Sequence, residues 1–459
     1  MTPTSVSHPI STDRDAALAD LVIAAELGQD ERVRAGLPGL HPADIAELLD
    51  VLEEAETKQR VFGFLPTRLT ATVLSFIAPP TQEILTRGLS DAVLGEVIEQ
   101  LESDDAVDLL AGLSPQRTSA VLEHVSEDLA AEISQLMRHP EDVAGGLMQT
   151  EYIAVGEGAR VEQAIETIRT HVDEVSDLHS VFIINAPGHL VGVLPLRKLI
   201  LARPGDLVAH IMDRQVISVR VDLDQEAVAQ VCQKYDLVSL PVVDAEGKLV
   251  GLITVDDVVD VLEEEATEDI YKLANLSREE EVFEPPWRSI RHRLPWLGLN
   301  LITTTLSAAV ITLFEDTIRA LAVAAAFMTI VAAQGGNAGV QTLTVTVRGL
   351  ALGEVSLNHA RRVLFKELSV ALGNGLILGG VAGTVAYLWE GSPLLGGVLG
   401  LALAVNLVVA ALVGSMVPFV LERCGIDPAV ASNVFVTACT DIFGFFSFLG
   451  ILALVWGLV

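Results

Sequence analysis

The chain is poor in cysteine, in aromatic residues and in positive charge. Its 459 residues include only three cysteines, Cys232, Cys424 and Cys439. They are few, odd in number and far apart, which excludes a disulfide framework, and no pair has zinc-ligand spacing. Lys and Arg number 29 against 61 Asp and Glu, a formal net charge of −32. Phosphate needs basic residues opposite it, so nucleic acid is excluded as a partner. The excess of carboxylates favours cations instead. The first residues, MTPTSVSHPISTDRDAALAD, have neither a basic flank nor an apolar core. A secretory signal is therefore not expected, and the acidic part should stay in the cytoplasm. No nucleophile–base pair, P-loop or catalytic metal motif occurs, so an enzyme is not expected.

What is present is divided unevenly. Residues 1–284 hold 53 acidic and 20 basic side chains, a net −33, whereas residues 285–459 hold 8 and 9, a net +1. The first half is water-soluble and acidic. The second is nearly neutral and apolar.

The acidic half opens with a short repeat. LHPADIAELLDVLE starts at Leu40, LPTRLTATVLSFIA at Leu65, LSDAVLGEVIEQLE at Leu89 and LSPQRTSAVLEHVS at Leu113, spacings of 25, 24 and 24 residues. Each unit begins with Leu and a turn rich in Pro, Ser or His, then shows apolar residues at helical spacing. A unit of this length fits two short helices. No single pair buries its apolar face, so stacked pairs forming a small solenoid are expected.

A second repeat follows. MQTEYIAV at Met148 matches MDRQVISV at Met212, and LVGVLPLRKLI at Leu190 matches LVGLITVDDVV at Leu249. Each copy reads as strand, helix, two strands around a Gly turn, and helix. This pattern resembles a tandem pair of CBS domains, a regulatory module that senses nucleotides or ions.

The apolar half begins at EPPWRSIRHRLPWLGLNL. Five spans are expected, about Trp296–Phe314, Ile318–Val345, Leu364–Trp389, Leu394–Leu421 and Ala429–Val459. Each is long enough for a hydrocarbon core of ~30 Å. Arg288, Arg291, Arg293, Arg348, Arg361, Arg362, Lys366 and Arg423 flank one side, which the positive-inside rule makes cytoplasmic together with the N-terminal half. Five spans then place the C-terminus outside. Gly375, Gly379 and Gly383 form a small-residue stripe expected to pack against another helix.

The last span carries one charge, Asp441. An ionisable group at such depth costs at least about 2.5–3.5 kcal/mol and is functional by default. Asn433, Thr437 and Asp441 recur at i, i+4 and i+8 on one helical face and offer oxygen, the donor preferred by hard cations such as Mg²⁺. One carboxylate per chain is a poor site, but two chains about a two-fold axis would present two. A second polar group, Gln334, Asn337 and Gln341, is interleaved with Gly335, Gly336 and Gly339, and the glycines suggest a broken helix lining a cavity. Between the halves, DDVVDVLEEEATED, Asp256 to Asp269, holds eight acidic residues in 14.

GGNAGVQTLTVTVRGLALGE, GIDPAVASNVFVTACTD and VDDVVDVLEEEATEDIYKLAN, with the five spans and the domain order, resemble the MgtE magnesium channels over nearly the whole chain. The resemblance implies a multidomain protein: an all-α helical-repeat N domain (1–139), an α/β tandem CBS pair (140–262), an acidic connecting or plug helix (263–285) and an all-α five-helix transmembrane domain (286–459). It implies a homodimer in the cell (inner) membrane, multi-pass, with Mg²⁺ as both substrate and regulatory ligand. Pore ligands would be Asp441, Asn433 and Thr437. Regulatory carboxylates would be Asp104 and Asp108 in the N domain, Asp224, Glu226 and Asp236 in the CBS pair, and Asp257, Asp260, Glu265, Glu268 and Asp269 along the plug. Asp427 would meet the plug at the cytoplasmic end of the pore. The aromatic expected after Asp236 is Leu237, so nucleotide binding is not carried over and no cofactor site is assigned. Two further readings stay open: another divalent cation such as Co²⁺ or Mn²⁺, and a membrane-anchored sensor that transports nothing.

Overall fold

The computed structural model describes residues 12–171, 175, 178–277, 280, 285–430 and 432–457. It resolves into two units, residues 1–262 and 263–459, described in turn.

The first unit opens with ten short helices: α1 (Thr12–Glu26), α2 (Asp30–Gly36), α3 (Pro42–Val51), α4 (Ala55–Phe62), α5 (Thr67–Ser75), α6 (Pro79–Arg87), α7 (Asp91–Ile98), α8 (Ser103–Ala111), α9 (Pro115–Leu122) and α10 (Glu127–Leu136). The 24–25-residue period is thus a helix pair. Proline begins α3, α6 and α9, where its missing N–H is not needed. The Ser90 side chain caps α7 by accepting from Val93 N. Helices two apart pack on each other, α3 on α5, α5 on α7, α7 on α9 and α8 on α10, which makes the solenoid. The Arg117 guanidinium ties successive units by donating to the Thr86 and Leu89 carbonyls at 2.8 and 2.7 Å.

Two similar three-stranded sheets follow. After α11 (Ala144–Leu147), the first repeat runs β1 (Ala154–Gly156), α12 (Val161–Thr170), β2 (Ser180–Ile184), β3 (Leu190–Pro195) and α13 (Leu196–Leu201). The second runs α14 (Val208–Ile211), β4 (Val219–Arg220), α15 (Gln225–Tyr235), β5 (Ser239–Val243), β6 (Leu249–Thr254) and α16 (Val255–Leu273). In each sheet the first strand pairs parallel with the second, and the second antiparallel with the third. The hairpin turns use Gly188 and Gly247 at φ of +93° and +84°, the left-handed region glycine tolerates. Phe182 with Leu249 and Leu252 forms a small core between the repeats. The second repeat also shares one core with the helical solenoid: Val228, Val242, Ile253 and Val258 join Leu94, Leu109 and Leu110.

The acidic helix therefore differs from the expected 263–285. α16 starts at Val255, directly after β6, and ends at Leu273. Residues 278, 279 and 281–284 of the expected range lie outside the described residues.

The second unit is helical: α17 (Pro286–Leu313), α18 (Glu315–Ala320), α19 (Ala324–Ala351), α20 (Ala360–Glu390), α21 (Pro393–Arg423) and α22 (Ser432–Trp456). Four helices among the described residues are long and apolar enough to cross a membrane: α17, α20 with the preceding turn from Leu357, α21, and α22. α19 is also 28 residues long, but Gln334, Asn337 and Gln341 dilute its apolar character. Two sequence expectations fail here. The second span is not one helix from Ile318, because the chain turns between α18 and α19. The helix also does not break at Gly335, Gly336 and Gly339; α19 runs straight through them. Two of these glycines make room instead. A Cβ at Gly335 would collide with the Asn406 amide, and one at Gly339 with Val436. The Gly375–Gly379–Gly383 stripe does pack: a Cβ at Gly379 would lie 2.6 Å from the Gly400 carbonyl oxygen, and one at Gly383 2.6 Å from that of Gly396. Backbone contact this close is what joins α20 to α21.

Candidate ion pathway and acidic clusters

α22 presents the expected polar face. Asn433, Thr437 and Asp441 are each half-buried in the single chain, among apolar neighbours. The Thr437 hydroxyl donates to Asn433 Oδ1 at 3.4 Å, and Asn433 Nδ2 donates to the Leu273 carbonyl at 3.4 Å. Gln334, Asn337 and Gln341 lie exposed on α19, which packs against α22. Exposed amides on a helix of this length and a half-buried carboxylate on its neighbour do not suit lipid. They suit water or a second polar surface.

Beside Asn433 the end of α16 meets the α21–α22 loop. Lys272 donates to Asp427 Oδ2 and also pairs with Glu268, one turn back. Asp427 Oδ1 accepts from Ala429 N at 2.8 Å, which fixes the loop. Burial and the charges of Asp427, Glu265 and Glu268 lift the Asp269 carboxyl to about 6, against the downward pull of Lys272. Burial works against the Lys272 ammonium, but its hydrogen bonds to Asp427 and Glu268 prevail and raise it to about 12. Asp427, Glu265, Glu268 and Asp269 are all expected from the sequence; the lysine that pairs with Asp427 and Glu268 is not. The signal was present: Lys272 follows Glu268 at i+4 on one helix.

The first unit holds a second cluster. Asp104, on the first turn of α8, is buried, and its Oδ1 accepts from Asp105 N at 2.8 Å. Burial first, then the Asp257 and Asp105 charges, push its carboxyl well up. Asp105 is lifted to about 7 by burial, Glu102, Asp257, Asp108 and Asp256. Asp257 is lifted to about 6, chiefly by burial, although its Oδ2 accepts from the Thr254 hydroxyl at 2.6 Å. α8 and the first turns of α16 thus bring together Asp104, Asp108, Asp257 and Asp260, all expected, with Glu102, Asp105 and Asp256 beside them. Like charges gathered in a half-buried place raise one another's proton affinity, and a divalent cation would relieve the same repulsion.

The CBS-pair residues have local roles. Asp224 caps α15, accepting from Glu226 N at 3.0 Å, and Glu226 accepts from Gln230 at 3.2 Å. Asp236 is exposed at the C-cap of α15 with φ of 52°. Among the described residues, no three carboxylate, imidazole or thiol groups converge closely enough to ligate one ion directly.

Asn406 is among the buried polar residues that the sequence reading does not single out. Asn406, fully buried in α21, donates to the Val331 carbonyl at 2.9 Å, and Gly335 and Gly444 make its slot. A lone amide within LALAVNLVVAAL was the available clue.

A family model described as a divalent cation transporter matches residues 328–451. The MgtE intracellular N domain matches 40–142, and CBS domains match 142–205 and 208–264. These matches and the apolar helices define a multi-helix membrane transport protein of the divalent-cation class with a CBS pair. The chain is 37% identical to the magnesium transporter MgtE of Thermus thermophilus over 93% of its length and 96% of that protein's. It is 28% identical to MgtE of Bacillus subtilis over 95% and 97%. The cytosolic domain of an Mg²⁺ channel MgtE in complex with ATP matches 53% of this chain and 99% of its own, at 38% identity and a TM-score of 0.50. The chain belongs to the MgtE family, whose named function is transport rather than catalysis.

Proposed function

We propose that this protein is a Mg²⁺ channel of the cell membrane, its acidic half cytoplasmic, working as a homodimer with the pore on the two-fold axis. The carrying observation is the Asn433–Thr437–Asp441 face of α22, with the only carboxylate on that helix. Two copies would supply two carboxylates, two amides and two hydroxyls to a partly hydrated ion. The exposed amides of α19 would face the same wet space, and Mg²⁺ would move down its electrochemical gradient. The relatives' named ion and the oxygen-only donors favour Mg²⁺ over softer metals.

Cytoplasmic Mg²⁺ would close the channel. Ions between Asp104, Asp105, Asp108, Asp257 and Asp260 neutralise the repulsion and hold α8 on the start of α16. Along the same helix, Glu265, Glu268 and Asp269 with Asp427 hold its end at the pore mouth. Asp224, Glu226 and Asp236 would add a site on the CBS pair. When Mg²⁺ falls, the repulsion among Asp104, Asp105 and Asp257 would loosen α8 from the start of α16, and Lys272 would be left holding Glu268 and Asp427. Moving the population from 1:99 to 99:1 takes about 5.5 kcal/mol of differential binding, within reach of several sites worth ~1 kcal/mol each.

The test is Mg²⁺ uptake into proteoliposomes by the wild type and by Asp441→Ala, with Mn²⁺ and Co²⁺ as competitors. Flux lost in the variant supports the pore. Equal flux in both removes Asp441 from it, and preferred Mn²⁺ or Co²⁺ flux changes the substrate. Conductance unaffected by Mg²⁺ on the acidic side would defeat the gating.

A further inference from the structure

Beyond the pore face and the acidic clusters, the long apolar helices bury another carboxylate. Glu367 lies near the start of α20, 5% exposed. Seven residues into a helix is about 10 Å along its axis. Beside it a cavity of about 210 Å³ opens between α19, α20 and α21. Its polar wall is Gln341 and Thr342 of α19 with Lys366, Glu367 and Asn374 of α20. Neither Asn433 nor Asp441 lines it. Glu367 Oε2 accepts from the Thr342 hydroxyl at 3.3 Å, and Oε1 is paired with the Lys366 ammonium.

We propose that this cavity is a further divalent-cation site, one in each chain, with Glu367 as its charged ligand and Lys366 holding the place when the ion is absent. Three features carry this. The donors around the carboxylate are a hydroxyl and two amides, all oxygen ligands for a hard cation. A space of about 210 Å³ is several times what one water needs, enough for an ion with much of its hydration shell. Finally, the pair is lopsided: the Lys366 side chain is 59% exposed and that of Glu367 only 6%. The ammonium reaches inward on a long stem that can swing back towards the helix end, where Arg362 lies. An entering divalent ion replaces it without leaving a buried charge unpaired. A second cavity of about 320 Å³ shares Val345, Lys366 and Glu367 with the first and continues past Thr346 to Glu354 and Arg362 near the helix ends. It is the route by which a hydrated ion reaches Glu367.

The inference deepens the divalent-cation reading, but binding tests it without flux. The experiment counts Mn²⁺ bound by the full-length protein in nanodiscs, from the electron paramagnetic resonance signal of free Mn²⁺. Glu367→Gln keeps the shape and the Thr342 contact. It is expected to bind one fewer Mn²⁺ per chain than the wild type; an unchanged count overturns the site. Lys366→Met removes the tethered competitor and is expected to tighten one Mn²⁺ per chain about tenfold. An unchanged or weaker titration overturns the proposal even if Glu367→Gln does not fold. Loss of flux in the wild type would defeat the channel reading and leave the Glu367 count standing.

Discussion

Asp257→Asn should stabilise the protein when Mg²⁺ is absent. In the fold Asp257 rises from 3.8 to about 6, and Asp105 from 3.8 to about 7. Each tenfold change in proton affinity is about 1.4 kcal/mol, so keeping Asp257 ionised costs on the order of 3 kcal/mol and Asp105 on the order of 4. The two share one set of charges, so these costs do not add. The sign follows from proton counts. Below about pH 4 both groups are protonated in either state and cost nothing. Between that pH and about 7 the folded form holds more protons, so stability falls as pH rises, and above it the whole cost is present. Asparagine retains an oxygen for the Thr254 hydroxyl and removes the charge.

The assay is thermal unfolding of the full-length protein at pH 8 in chelator, with hydrogen exchange followed at α8 and the first turns of α16. About 3 kcal/mol at about 2–4 °C per kcal/mol sets a ceiling of roughly 6–12 °C, and the shared charges bring the expected rise to about half of that. The wild type should regain the difference with Mg²⁺, by about 2.7 kcal/mol at a hundred times its dissociation constant, and the variant by much less. A variant less stable than the wild type in chelator, or one that keeps the full Mg²⁺ increment, would refute the electrostatic account of this cluster.

Other perturbations follow from single contacts. Lys272→Met leaves Glu268 and Asp427 to Mg²⁺, so the Mg²⁺ concentration that halves the conductance should fall several-fold in patch recordings. Gly379→Val pushes a side chain into the Gly400 carbonyl and should destabilise the α20–α21 pair by about 1–3 kcal/mol or more, read as a lower unfolding midpoint in detergent. Asn406→Ala removes the bond to Val331 and leaves a void; a loss of about 1–3 kcal/mol in the same assay is expected. Thr437→Val keeps the shape and removes an oxygen from the α22 face; Mg²⁺ flux should drop while the unfolding midpoint stays within about 1 kcal/mol of wild type.

What could be read in the sequence was periodic or chemically costly. The 24–25-residue helix pairs, the duplicated strand–helix–hairpin pattern and the glycine stripe of α20 repeat at intervals that only one packing satisfies. Asp441 was conspicuous because a charge in an apolar run needs a reason. The course of α19 was not legible, since a Gly–Gly pair serves equally to break a helix or to admit a neighbour. The Asn406 amide, on another helix, decides between these, and sequence spacing carries no information about that meeting. The bounds of α16 escape sequence spacing for a similar reason: its first turn follows directly on the hairpin that ends at Thr254, so no loop separates the CBS repeat from the acidic helix.

The lysines give the charge distribution its sense. The strongest charges acting on Asp104, Asp105 and Asp257 are other carboxylates, which add to burial in raising their proton affinity. In the second unit, Asp427 with Glu268 and the buried Glu367 each hold a lysine ammonium supplied by the chain itself. A tethered ammonium carries one charge, so on the reading proposed above it would concede the place to a divalent ion at sufficient concentration. On the proposed gating, metal should therefore matter more to the acidic cluster of the first unit than to the second unit, whose carboxylates already hold a lysine. The Mg²⁺ dependence of hydrogen exchange should accordingly be larger at α8 than at the end of α16.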